Sequence, residues 1–178
     1  VYLTLPNDHT NGVQTNYPTP RAMVADNDLG LGQIVDLISH SPIWGSSAIL
    51  VMEDDSQDGA DHVDAHRMPA YVISPWANEG GVIHTRYDQE SMLRTMELIL
   101  GMQPLSRFDA NAEPMYAAFR DDGHPDLRPY DAIVPQQSMS AITTAADARA
   151  AGPLVAELPF DQPDVVPQAI FDRVLWGS

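Results

Sequence analysis

Between Met52 and Pro69 the chain reads MEDDSQDGADHVDAHRMP. Six carboxylates (Glu53, Asp54, Asp55, Asp58, Asp61, Asp64) and two histidines (His62, His66) fall in this stretch, and Arg67 follows directly. Carboxylate oxygens and imidazole nitrogens together form a donor set for zinc, manganese or iron that needs no cysteine. The many oxygens would also suit calcium, although the loop lacks EF-hand spacing and histidine is a poor calcium ligand. Adjacent Asp54 and Asp55 repel one another unless a cation or solvent neutralises them. His62 and His66 are four apart and alternate with Asp61 and Asp64. The Arg67 guanidinium is suited to grip a phosphate through two parallel hydrogen bonds, or simply to neutralise the acids around it. A second candidate pair, Asp8-His9, sits in the turn-rich segment from Pro6 to Gly12, where the competing reading is an Asx turn with a surface histidine. His84 alone reads as structural, and Trp44 and Trp76 as core. The plain alternative for the whole acidic run is a solvated loop in an acidic protein.

The flanking elements favour a site. Ala48 to Met52 is an apolar run that ends on the acids, and Ala70 to Ser74 is a second such run behind them. Acids at the carboxyl end of a central strand lie where open α/β sheets bind their ligands. Val1 to Leu5 reads as a further strand. Leu31, Ile34, Val35 and Ile38 recur at helical spacing, which predicts a helix over 29–40 capped by Asp28 and stopped by Pro42. Asp88 or Glu90 opens a second helix over 91–100, with Leu93, Met96, Leu98 and Leu100 as its apolar positions and Gly101 as its stop. Residues 121–135 read as loop, 141–151 as an alanine-rich helix, 154–167 as an extended arm and 169–176 as a short amphipathic helix. This order of elements predicts α/β layering with a mostly parallel sheet.

Composition narrows the function classes. Among 178 residues there are 25 acids against 9 basic residues, every one of them arginine, for a net charge of −16. Such a surface repels phosphate backbones and anionic membranes, so nucleic acid is not an expected partner. Lysine chemistry is excluded, and so are disulfides and thiolate nucleophiles, because the chain has no lysine and no cysteine. No window is long and apolar enough for a transmembrane segment.

Several segments taken together resemble the bacterial phosphoesterase family, which includes the non-haemolytic phospholipases C and related acid phosphatases within the alkaline-phosphatase-like superfamily. They are Ser41-Pro42-Ile43-Trp44, Ala48 through Asp55, Asp61-His62-Val63, Val72-Ile73-Ser74-Pro75 and Tyr87 through Glu97. The family form is a strand ending in Asp-Glu, a Gly-rich turn, then Asp-His-Val. Here Asp54-Asp55 stands in place of Asp-Glu, and Ser56-Gln57-Asp58-Gly59 replaces the turn. The upstream Leu-Pro-Asn-Asp-His-Thr and the Asp-His-Val-Asp-Ala-His-Arg run are similar to a branch of phosphoesterases sometimes fused to a β-propeller.

The resemblance implies a three-layer α/β sandwich with a mostly parallel central sheet, alkaline-phosphatase-like and partial. Residues 1–119 would be the carboxyl-terminal half of the domain, and residues 120–178 an arm with short helices packed on it. The implied activity is metal-dependent hydrolysis of phosphate esters. Asp8, His9, Asp54, Asp55, Asp61 and His62 are the implied metal ligands, with His9, His66 and Arg67 in catalytic roles. His62 and His66 remain alternatives for one ligand position. The divalent metal is zinc, manganese, iron or calcium. The family's Ser or Thr nucleophile and its acidic-Asn metal motif have no match here, and the sequence opens at Val1 inside an apolar segment. The expectation is therefore a fragment with ligands but no nucleophile, inactive alone, whose partner is the missing amino-terminal half. The resemblance also favours a periplasmic or secreted location. Two other readings share the residues: a non-catalytic divalent-metal-binding module, and a sulfatase- or phosphonatase-type relative.

Overall fold

The computed structural model describes residues 1–7, 13–53, 68–149, 158–159, 165–167 and 169–170. The chain forms two compact units, one made of residues 1–36, 54–68 and 131–178, the other of residues 37–53 and 69–130.

The main element of the first unit is helix α1, Pro20–Ser39, of which residues 20–36 belong to that unit. It starts nine residues earlier than the apolar spacing predicts, because Thr19 and Pro20 form a helix start. The Thr19 hydroxyl accepts from the Ala22 amide at 3.2 Å, and Pro20 has no amide hydrogen to leave unpaired at the first helical position. Asp28 lies inside the helix and caps nothing. Ala22, Met23, Ala25 and Val35 are buried, while Leu31, Ile34 and Ile38 are partly covered and Leu37 is exposed. The helical periodicity from Leu31 to Ile38 is thus the periodicity of burial. Just before α1, residues 16–19 run antiparallel to 141–143. Thr143 donates to the Tyr17 carbonyl at 2.8 Å, Thr19 to that of Ala141 at 2.8 Å and Asn16 to that of Thr143 at 3.1 Å. Residues 145–149 are helical, started by a capping box in which Thr144 and Asp147 exchange hydrogen bonds.

Val1 to Leu5 is not a strand. Val1, Tyr2 and Leu3 are exposed, and among the described residues no strand pairs with this run. Leu5 does meet α1, with its Cδ2 3.3 Å from where a Cβ on Gly30 would stand.

The second unit contains both strands, β1 at Ile49–Met52 and β2 at Ala70–Ile73. They pair antiparallel in the register Ile49↔Ile73, Leu50↔Val72, Val51↔Tyr71, Met52↔Ala70. The expectation of a mostly parallel sheet is corrected for these strands. The described residues combine helices with a two-stranded antiparallel sheet and form no three-layer parallel sandwich. A parallel pair needs a crossover, usually helical, whereas an antiparallel pair can simply turn back.

The ladder is supported from its far end. Ser74 Oγ donates to the Ser47 carbonyl at 2.8 Å, and Trp76 Nε1 to that of Gly45 at 2.9 Å. Trp44 is buried and meets Tyr130 edge-on, with ring centroids 6.0 Å apart. Trp76 is only half-buried.

Helix α2, Gln89–Leu100, is capped at both ends. Asp88 and Ser91 form a capping box, and Gly101 closes the helix in the left-handed region with φ 68°. Its buried residues are Ser91, Met92, Thr95 and Glu97. Leu98 and Leu100, read from sequence as apolar positions of the helix, are exposed. The polar residues are buried because each has a partner. Thr95 Oγ1 donates to the Ser91 carbonyl at 2.7 Å and accepts from Met115 N at 2.8 Å. Glu97 meets the Arg94 guanidinium at 3.2 Å. Helix α3, Arg107–Asn111, packs beside α2. Residues 121–135 carry no regular element, as read from the sequence.

Candidate functional site

Strand β1 precedes the acid- and histidine-rich stretch in the sequence. β1 ends at Met52, and both backbone groups of the next residue, Glu53, are held. Its N–H donates to the Pro69 carbonyl at 3.3 Å, which extends the ladder one step past Met52↔Ala70. Its carbonyl accepts from Gln89 Nε2 at 3.1 Å. Glu53 and Pro69, the residues that bracket the acid- and histidine-rich stretch, are therefore hydrogen-bonded to each other at one end of the ladder, beside the first residue of α2.

That helix start is fixed by its own sequence. Asp88 Oδ1 accepts from Ser91 N at 2.9 Å and from Ser91 Oγ at 2.8 Å, and Asp88 N donates to Ser91 Oγ at 3.2 Å. Arg86 lies 4.0 Å from the Asp88 carboxylate and is largely exposed. Between the α2 start and α3 runs a shallow, open groove of about 480 Å³, lined by Asp88, Glu90, Arg107, Phe108, Asn111 and Ala112. The Arg107 guanidinium stacks over the Phe108 ring at 5.5 Å.

Buried charge in this unit concentrates on Asp109 and Glu97, each about 1% exposed. The Leu105 amide donates to both, at 2.7 Å to Asp109 and 3.1 Å to Glu97. Asp109 also accepts from the Ser106 amide at 2.8 Å and from the Ser106 hydroxyl. The Ser106 hydroxyl foremost holds the Asp109 carboxyl down to about 2, against the opposing effect of burial. Nearer the surface, Asp126 is lowered to about 2 by its ion pair with Arg128. These acids are structural: each one's hydrogen bonds tie down a turn or a helix start.

The residues singled out from the sequence, Asp8, His9, Asp54, Asp55, Asp61, His62, His66 and Arg67, all lie outside the described residues. Among the described residues no three acid or imidazole side chains gather as a metal-binding group. His40, His84 and His124 are exposed, and His84 takes part in no such group. Gln89 had no assigned role in the sequence reading. The signal available was its place directly after a helix-capping aspartate, where a side chain at the first helical position reaches back past the helix end.

The model of the Phosphoesterase family matches residues 11–103, just over half of the chain. That span includes α1, β1, β2 and α2 together with Asp54 through Arg67, and leaves Asp8 and His9 outside. No curated protein and no solved structure matches the chain. The class of protein is thus a phosphate-ester hydrolase; this chain belongs to the Phosphoesterase family. The described residues contain no helix long and apolar enough to cross a membrane.

Proposed function

We propose that this chain contributes the ligand-bearing part of a metal-dependent phosphoesterase site, of the phospholipase C and acid-phosphatase kind, built on a partial alkaline-phosphatase-like domain. The observation that supports this reading is the family match across a segment in which strand β1 is followed in the sequence, after Glu53, by Asp54-Asp55 and Asp61-His62. The donor set suits a divalent cation by its chemistry. It mixes hard carboxylate oxygens with imidazole nitrogens, as zinc, manganese and iron sites do, and calcium would use the carboxylates alone.

Asp54, Asp55, Asp61 and His62 would hold the metal, with Asp8 and His9 completing the set. When bound, the metal would polarise a phosphoryl oxygen and neutralise charge that develops on it. Arg67 would orient the phosphate through a two-pronged hydrogen bond, and His66 would hold or pass a proton at the ester oxygen. Nothing in the sequence matches the family's hydroxyl nucleophile, so we assign that group to a segment other than the ones matched here.

The test is hydrolysis of an aryl phosphate monoester and diester with zinc, manganese or calcium added, comparing this chain with a longer protein that includes the nucleophile motif. The reading expects metal-dependent turnover by the longer protein and negligible turnover by this chain. Turnover by this chain alone would misplace the nucleophile. Turnover by the longer protein that is indifferent to metal removal would end the metal assignment.

A further inference from the structure

Toward its carboxyl end helix α2 buries polar residues and exposes apolar ones. Ser91, Thr95 and Glu97 are buried, whereas Leu98, Ile99 and Leu100 face water. The chain then folds back on this last turn. Met102 N donates to the Glu97 carbonyl at 2.8 Å, and Leu105 N to the Glu97 carboxylate at 3.1 Å. Leu105 N also reaches Asp109, inside α3, at 2.7 Å. These bonds gather Leu98, Ile99, Leu100, Met102, Leu105 and Phe108 at one corner, where their exposure runs from 38% at Leu98 to 71% at Leu105. At roughly 200 Å² for a large apolar residue, the corner presents roughly 700 Å² of apolar residue surface to water. The largest apolar patch on a typical monomer is about 300–600 Å², and a stable interface takes about 800 Å² from each partner.

We infer that this α2–α3 corner is a self-association surface, on which a second copy of the chain sits about a two-fold axis. Two-fold homodimers are the commonest soluble assembly, and they place the same patch of both copies face to face. Apolar surface removed from water on both sides drives such a contact without any matching of donors and acceptors. Charge favours a second copy over a lipid surface. Residues 98–108 contain no acid and one arginine, in a chain of net charge −16. The segment therefore brings no carboxylates of its own into the contact, and the repulsion between copies is of the long-range kind that salt screens. Helices that lie on membranes carry Lys and Arg along the polar face. This chain has no lysine, and the one arginine of α2, Arg94, is paired with Glu97 at 3.2 Å.

Sedimentation velocity over a concentration series tests this on the whole chain, at about 0.15 M and about 1 M sodium chloride, where the Debye length is about 8 Å and about 3 Å. Leu100→Arg places a cation at the helix end that favours one and lowers the net charge, so electrostatics alone would strengthen pairing. Leu105→Gln removes apolar surface without adding charge. Val82→Arg repeats the charge change at a comparably exposed apolar residue outside the corner. Far-ultraviolet circular dichroism checks the folding of each variant. A self-association surface predicts a dimer that tightens with salt, a dissociation constant raised at least about tenfold by Leu100→Arg and by Leu105→Gln, and no weakening by Val82→Arg. A monomer at every concentration and at both salts would overturn it. So would a dimer that the two corner variants leave intact, or one that Val82→Arg weakens as much as they do. A chain that stays monomeric yet floats with phosphatidylcholine vesicles, and ceases to on Leu100→Arg, would assign the corner to a lipid surface and overturn the pairing.

Discussion

Asp109 shows how a single acid secures a turn in this protein. It accepts from the Leu105 and Ser106 amides and the Ser106 hydroxyl, so its charged form is favoured in the folded state. Its folded value, about 2, lies below the ordinary 3.8. The stabilisation is therefore fully present above the ordinary value and disappears as pH falls from near 3.8 through about 2. Acid unfolding followed by circular dichroism should show this loss, and Asp109→Asn should flatten the pH dependence within that window. An unchanged acid limb in the variant would contradict the assignment. Ser106→Ala, which removes the cap of α3, should cost about 1 kcal/mol in denaturant unfolding. Little of this was readable in advance. The sequence shows acids, but which of them lie buried against amides depends on packing between α2 and α3. Asp54 and His62, by contrast, stood out through residue type and spacing alone.

Among the elements, local signals decided the ends and packing decided the faces. Gly101 was read as the stop of α2 and adopts the left-handed conformation that only glycine accepts without strain. A Cβ there would meet no atom within 4 Å, so Gly101→Ala should cost only the conformational penalty, about 1 kcal/mol, measured by urea unfolding. A neutral result would show that the turn relaxes. The start of α1 was equally visible, in Thr19-Pro20, but the apolar period begins only near Leu29 and drew the predicted boundary with it. Thr19→Ala should destabilise by about 1 kcal/mol. The strands β1 and β2 were legible from their apolar runs. Their antiparallel pairing was not, because short apolar runs look the same in either orientation. Burial of Thr95 and Glu97 in place of Leu98 and Leu100 depended on partners outside the helix, Met115 and Leu105.

At the scale of the whole molecule, charge dominates. A net charge of −16 with no lysine creates self-repulsion that salt screens, as the Debye length falls from about 30 Å at 0.01 M to about 3 Å at 1 M. The melting temperature should therefore rise with sodium chloride, by about 2–4 °C for each kcal/mol of repulsion relieved. A flat or falling curve would show that the acids are already locally neutralised. The family assignment was legible in the sequence because it rests on several short motifs held in order. The match spans residues 11–103, from before α1 to just past α2.

The central claim is that Asp54-Asp55 and the histidines after them hold a divalent metal for phosphate-ester chemistry. The most direct measurement is calorimetric titration of zinc, manganese and calcium into the chain and into Asp55→Asn, which keeps the side chain's size and removes its charge. The account predicts stoichiometric binding of zinc or manganese by the wild type, tighter than calcium, and at least about tenfold weaker binding by the variant, in line with the cost of charged hydrogen-bonded ligands. Equal binding by the two proteins, or binding of calcium alone, would contradict it.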